Sequence, residues 1–123
     1  HANIVVHIET EPVTVEMDDI SLIRVISNLA SNAIESLSIG GGTVRLVCRK
    51  VDSNVAIEVH DTGPGLPESI RSNPWTGLSV GKKGGNGMGL RFVREQVVRN
   101  HGDISFETSS TGTCFRIHLP FVK

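Results

Sequence analysis

Long apolar runs are missing from this sequence, and so is any excess of charge of one sign. No stretch approaches the roughly 18–20 consecutive apolar residues that a helix needs to cross a bilayer. Residues His1 to Glu9 hold no basic region followed by an apolar block and a small-residue cleavage site, so no secretory leader is expected there. Lys and Arg number 12 against 13 Asp and Glu, a formal net charge of -1. That balance carries no sign of a basic footprint for nucleic acid or for anionic membranes. Cysteine is scarce as well. Cys48 and Cys114 lie in apolar stretches with neither CxxC nor Cys/His spacing, and are expected to be two reduced, buried thiols rather than disulfide or metal ligands.

What is present fits one globular domain. The chain has 123 residues, long enough for a real core, with 38% hydrophobic and 20% charged residues, an ordinary balance for a soluble fold. Glycine is distributed oddly: of 13, six fall between Gly77 and Gly89. Such clustering points to a mobile, phosphate-handling segment more than to ordinary turns.

Asn3 to Glu9 reads as a β-branched strand, and Val13 to Met17 as a second, short strand after the Glu11-Pro12 turn. Asp18-Asp19 supplies a helix start. From Ile20 to Leu37 the residues Leu22, Ile26, Leu29, Ala33 and Leu37 recur at three- and four-residue steps, predicting one long amphipathic helix that Gly40-Gly41-Gly42 ends. Thr43–Val51 and Val55–Val59 follow as strands around the polar Asp52-Ser53-Asn54. Asp61-Thr-Gly-Pro-Gly-Leu-Pro67 breaks the pattern and opens a loop of nearly twenty residues, long enough that function or disorder is its expected cause. Helical order resumes near Met88, with Leu90, Val93, Val97 and Val98 as the apolar stripe and Asn100-His101-Gly102 as the cap. Two closing strands, Asp103–Thr108 and Thr113–Leu119, complete an α/β sandwich, a mixed sheet with helices on one face.

Three groups of residues suggest chemistry. Asn28 and Asn32 stand four residues apart on the long helix and so share one face. An amide oxygen is a hard neutral ligand suited to Mg²⁺, although exposed or backbone-capping amides are the commoner use of such a pair. Asp61 ends a strand, and Gly63 and Gly65 let the backbone lie close to a flat ligand; a carboxylate there can accept a hydrogen bond from an exocyclic amine such as that of adenine, but a tight turn accounts for the motif equally well. Gly85-Asn-Gly87-Met88-Gly89 runs directly into a helix, where free N–H groups suit phosphate oxygens, with Lys82 and Lys83 just upstream. No Walker GxxxxGK[ST] loop occurs, and the glycines do not follow a strand as a dinucleotide fingerprint requires.

Together and in this order, these elements resemble the catalytic ATP-binding domain of two-component sensor histidine kinases, within the superfamily that includes gyrase, heat-shock chaperones and mismatch-repair ATPases. Asn28-Leu-Ala-Ser-Asn32-Ala33 is similar to the family's N box, Asp61-Thr-Gly63-Pro-Gly65 to its first glycine box, and Gly85-Asn-Gly87-Met88-Gly89-Leu90 to its second. Asn100-His101-Gly102 through Pro120 looks like its closing segment, so the likeness covers essentially the whole chain. The resemblance implies a two-layer α+β sandwich of the Bergerat type, with a mostly antiparallel mixed sheet and a flexible ATP lid over about residues 66–86. It also implies roles: Asn32 on Mg²⁺ with Asn28 in the same phosphate pocket, Asp61 on the adenine amine with Thr113 nearby, and Gly63 and Gly65 shaping the base pocket. Gly85, Gly87, Met88, Gly89 and Leu90 would hold the nucleotide at the lid hinge, with Lys82 or Lys83 on the γ-phosphate side.

Relatives that hydrolyse ATP often carry Glu one helical turn before the Mg²⁺-binding Asn. Asn28 occupies that place here and cannot act as a general base. The resemblance therefore implies a phosphoryl donor to a histidine on a separate dimerisation and phosphotransfer domain, absent from this sequence, and through it to the receiver domain of a response regulator. A cytoplasmic, monomeric domain without nucleic-acid or direct membrane contacts is implied too. Two departures stand out. Asn73-Pro74-Trp75 replaces the family's phenylalanine-centred lid motif, with Trp75 expected to anchor the loop to the core. None of His1, His7, His60, His101 and His118 sits in a phospho-acceptor context. A serine kinase of the anti-sigma-factor type and a nucleotide-binding regulatory module without phosphotransfer remain as alternatives.

Overall fold

The computed structural model describes residues 3–75 and 87–121. Five strands, β1 (Ile4–Thr10), β2 (Gly42–Val51), β3 (Asn54–Asp61), β4 (Asp103–Ser109) and β5 (Gly112–Pro120), form one sheet in the order β1-β2-β3-β5-β4. Only the β1–β2 pair is parallel; the other three are antiparallel. Between β1 and β2 the chain passes through α1 (Asp19–Ser36), the crossover that a parallel neighbour requires. The short α2 (Glu68–Arg71) follows β3, and α3 (Gly87–Arg99) precedes β4. This is the mixed, mostly antiparallel α/β sandwich expected from the sequence. Of the expected lid, residues 66–75 are described, and 76–86 lie outside the described residues.

Helix α1 starts where the sequence signals it. Asp18 is the N-cap, and its carboxylate accepts the Ser21 amide at 3.0 Å. Val25, Leu29 and Ala33 are buried along it, and Leu37 just beyond its end. Burial of side chains such as Val25 and Leu29 contributes about 1.5–3 kcal/mol each. They join Val93 and Val97 of α3, Val55, Ile57 and Val59 of β3, and Phe115, Ile117 and Leu119 of β5 in one core cluster. Strand alternation sends Glu58, His60, Cys114, Arg116 and His118 to the opposite face of the sheet.

Three expectations need correction. Val13–Met17 is not a strand: only Val15 finds a partner, in an isolated bridge to Phe121. The long loop after Asp61 contains the helical turn of α2, whose Ile70 is buried. The cysteines are free but half-buried rather than buried, with burial still raising both thiol pKa values. At the end of α3 the left-handed residue is His101 (φ 66°) rather than a glycine. Gly102 serves differently, donating its amide to Val97 O at 2.9 Å. Among the described residues, no helix is long and apolar enough to cross a membrane.

Candidate functional site

Asn28, Asn32 and Ser36 lie at successive four-residue steps along α1 and so form one row on the helix. Asn32 is only 8% exposed, yet neither its amide oxygen nor its amide nitrogen has a hydrogen-bond partner among the described residues. A buried amide left without partners costs about 1–3 kcal/mol, which a ligand of either atom would relieve. Asn28 meets the first turn of α3: a Cβ built on Gly89 would stand 3.4 Å from Asn28 Cγ. A methyl group there would make ordinary van der Waals contact with the amide, so α3 and the amide row are closely packed at this point.

Ser36 ends the row beside the first glycine box. Its hydroxyl donates to Ala33 O at 2.7 Å, and a Cβ on Gly63 would approach its Oγ to 2.7 Å. A side chain at 63 would therefore displace the Ser36 hydroxyl and crowd the Asp61 carboxylate. Asp61, the last residue of β3, accepts the Gly63 amide on Oδ1 at 2.9 Å and pairs in register with Thr113 of β5. Burial pushes the Asp61 carboxyl above its ordinary 3.8, against the opposing pull of hydrogen bonds from Gly63, Ser36 and Thr113. Gly65 has φ +89°, and a Cβ there would collide with Ser109 O, so the first glycine box lies directly on the β4–β5 hairpin. The hydroxyl of Thr108 lies 2.9 Å from that of Thr113 and accepts the Leu66 amide at 2.8 Å, tying the start of the expected lid to the sheet.

A cleft of about 300 Å³ opens beside Asp61 and Thr113, bounded by Thr108, Ser109 and Gly112 and, from the sheet face turned away from the core, by His60, Glu107 and Cys114. A larger concavity of about 830 Å³, between Val15–Asp18 and Arg99–His101, contains none of the candidate nucleotide- or metal-binding residues. Asp61 and Thr113 border the smaller cleft, whereas Asn28, Asn32 and Ser36 line neither concavity.

The structure thus brings Asp61, Gly63, Gly65 and Thr113 together, and sets Asn28 against Gly89. Gly87, Met88 and Gly89 form the first turn of α3 instead of preceding it. Leu90 is buried at 2% exposure among the core side chains and so fastens α3 to the sheet. Lys82, Lys83 and Gly85 lie outside the described residues. Trp75 packs edge-on to Phe106 and Phe115, at centroid distances of 5.8 and 6.1 Å, the anchoring role expected of it. Two contributors were missed. Ser36 was reachable by extending the Asn28–Asn32 step once more; Thr108 was not, since cross-strand register alone brings it to Thr113.

A family profile described as histidine kinase-, DNA gyrase B-, and HSP90-like ATPase matches residues 17–123. The chain belongs to this family. Hybrid signal transduction histidine kinase D of Dictyostelium discoideum is 35% identical over 123 residues, covering 90% of this chain and 8% of that protein. Sensory histidine kinase/phosphatase NtrB of Rhodobacter capsulatus is 35% identical over 112 residues, covering 80% of this chain and 31% of that protein. The chain therefore spans less than a third of either relative. Among solved structures, the mycobacterial sensor histidine kinase MprB superposes with a TM-score of 0.83 at 26% identity, covering 96% of this chain and 82% of that one. The catalytic domain of histidine kinase ThkA gives 0.82 at 27% identity, covering 96% and 79%. Fold and family both agree with a histidine-kinase catalytic domain, and family membership supports binding of ATP.

Proposed function

We propose that this domain binds Mg·ATP and donates the γ-phosphoryl group to a histidine on a separate dimerisation and phosphotransfer domain, for onward transfer to a receiver domain of a response regulator. In that step the bond between the γ-phosphorus and the β–γ bridging oxygen breaks, a P–N bond forms to the acceptor imidazole, and ADP leaves. The observation that carries the reading is Asn32, a buried amide with neither polar atom satisfied among the described residues.

That orphaned oxygen fits Mg²⁺, a hard cation that takes few protein ligands and fills its coordination with water and phosphate oxygens. When bound, the ion would supply charge neutralisation on the phosphates. Asn32 would hold it, and Asn28 would line the phosphate side, close to the α3 N-terminal turn. Asp61 would accept the adenine amine while Gly63 and Gly65 leave room for the base. Lys82, Lys83 and Gly85 are proposed for the terminal phosphates, with Gly87, Met88, Gly89 and Leu90 at the hinge. Neutral Asn28 cannot deprotonate water, which favours transfer to an acceptor over hydrolysis.

Calorimetric titration with ADP and a non-hydrolysable ATP analogue, with and without Mg²⁺, tests the binding half. Mg²⁺-assisted binding of the analogue, lost in Asp61→Asn, is expected. Mixing the domain with a histidine-bearing helical domain and labelled ATP tests the transfer half: label should appear on the partner's histidine and not on this chain. Binding without any transfer would leave a regulatory nucleotide module, and label on a serine of the partner would move the reading to a serine kinase.

A further inference from the structure

We propose that Glu58, His60 and Cys114 form a binding site for one divalent cation of the zinc class, on the face of the sheet turned away from the core. Glu58 and His60 are two apart on β3 and so share that face. Cys114 of β5 stands directly opposite His60 in the strand register. Their ligand atoms all lie within 4.8 Å of one another.

The separations suit a small tetrahedral ion. Zn–S of about 2.3 Å and Zn–N of about 2.05 Å at the tetrahedral angle place sulfur and nitrogen about 3.6 Å apart. Cys114 Sγ and His60 Nε2 are 3.7 Å apart. His60 Nε2 and Glu58 Oε1, now hydrogen-bonded at 2.8 Å, would open by about half an ångström to receive the ion between them. Thiolate, imidazole and carboxylate together select zinc-like metals over magnesium or calcium, and three protein ligands leave a fourth position for water.

The surroundings hold the set in place. Glu58 is 6% exposed although it faces away from the core. Its Oε2 accepts from Arg116 Nε at 3.1 Å and lies 3.5 Å from Arg49 Nη2, which turns Oε1 towards His60. Arg116 Nη2 is also 3.9 Å from Cys114 Sγ. Guanidinium groups on the outer oxygen of a ligating carboxylate fix its orientation, as outer partners of metal ligands do. Arg116 also reaches Glu107 at 3.7 Å, so part of its charge is met by a second carboxylate while the Glu58 carboxylate and the Cys114 thiolate face the dication. On binding, Cys114 releases its thiol proton to solvent, and His60 offers the Nε2 lone pair with its proton on Nδ1. His60 and Cys114 themselves line the cleft of about 300 Å³ that Asp61 and Thr113 border, so the metal site opens to solvent there.

Cobalt(II) titration of the whole chain, followed by absorption, is the direct test. One equivalent should give thiolate-to-cobalt charge transfer with four-coordinate ligand-field bands, and zinc should remove both. Cys114→Ser should abolish the charge-transfer band and Cys48→Ser should leave it intact. His60→Ala should weaken zinc binding by at least about tenfold, the lower end of the loss seen even for outer partners of a metal site. No thiolate band, or a band that survives Cys114→Ser, overturns the proposal. Unmutated protein gives a second readout: zinc should slow alkylation of Cys114 but not of Cys48, and equal rates with and without zinc would also overturn it.

Discussion

The amide of Gly63 donates to Asp61 Oδ1 at 2.9 Å, so the carboxylate that closes β3 is held by the loop it begins. The same loop comes within a missing side chain of Ser36 on α1. Strand end, loop and helix therefore fix one acceptor group from three directions. A preorganised acceptor needs little ordering when a ligand amine arrives, which is why its removal should act on binding far more than on folding.

Asp61→Asn should weaken nucleotide binding by about 10–100-fold, the range given by losing a charged hydrogen bond of about 1.5–3 kcal/mol. Stability of the free domain should hold or rise, because burial already disfavours the ionised carboxylate. Paired calorimetry and urea unfolding check both halves. Loss of binding together with a large loss of stability would mean that Asp61 is a structural residue first.

The two perturbed carboxylates of β3 should give opposite pH dependences. Asp61 sits above its ordinary 3.8, so its linked stability is full below that value and declines as pH rises towards the raised folded pKa, where the unfolded chain loses its proton first. Burial also works against the Glu58 charge, but hydrogen bonds from His60 and Arg116 outweigh it and hold the pKa below 4.5. Its contribution is present above 4.5 and disappears as pH falls through the depressed folded value. Urea unfolding at acid pH should flatten on the first count in Asp61→Asn and on the second in Glu58→Gln. Nucleotide affinity should begin to fall at a higher pH than an ordinary carboxylate would dictate, since binding an amine donor needs the ionised form of Asp61.

Asn32→Ala should remove the Mg²⁺-dependent part of ATP-analogue binding. Apo stability should change by less than about 1 kcal/mol, because relief of an unsatisfied amide offsets the lost packing volume. Ordinary buried amides behave differently: truncation breaks their hydrogen bonds and destabilises. Thermal melts of apo Asn32→Ala decide between the two, and a large drop would show that Asn32 has a structural partner.

Local pattern carried most of the fold. Period-four apolar positions located α1 from Leu22 to Leu37, and alternation located β2 to β5 to within about two residues, as core faces do when one side is buried. It failed at Val13–Met17, where β-branched residues promise a strand but only Phe121, far along the chain, offers a pairing partner to Val15. Strand formation depends on a neighbour that composition cannot name. The start of α3 at Gly87 lies within one residue of where the pattern resumes helical order, near Met88, although a glycine run has low helix propensity. The row Asn28–Asn32 and the turn at Asp61 were legible because spacing and residue type are local. Thr108 against Thr113, and His60 against Cys114, are products of strand register and leave no trace in spacing.

Trp75→Ala should destabilise the domain by about 2–3 kcal/mol. The half-buried indole makes edge-on contacts with both Phe106 and Phe115, and each aromatic pair adds about 0.5–1.5 kcal/mol beyond burial, against about 3–5 kcal/mol for truncating a fully buried Trp. Trp75→Phe should recover much of the loss, since a smaller ring can still meet Phe115. As the sole tryptophan, Trp75 also reports its own contact by fluorescence. If residues 66–75 fold as part of the core, the emission change and the far-ultraviolet circular dichroism should follow one urea transition. An emission change at distinctly lower urea would mean that this segment detaches first, and the mutational cost should then fall well below 2 kcal/mol, because a contact already lost before global unfolding adds little to it.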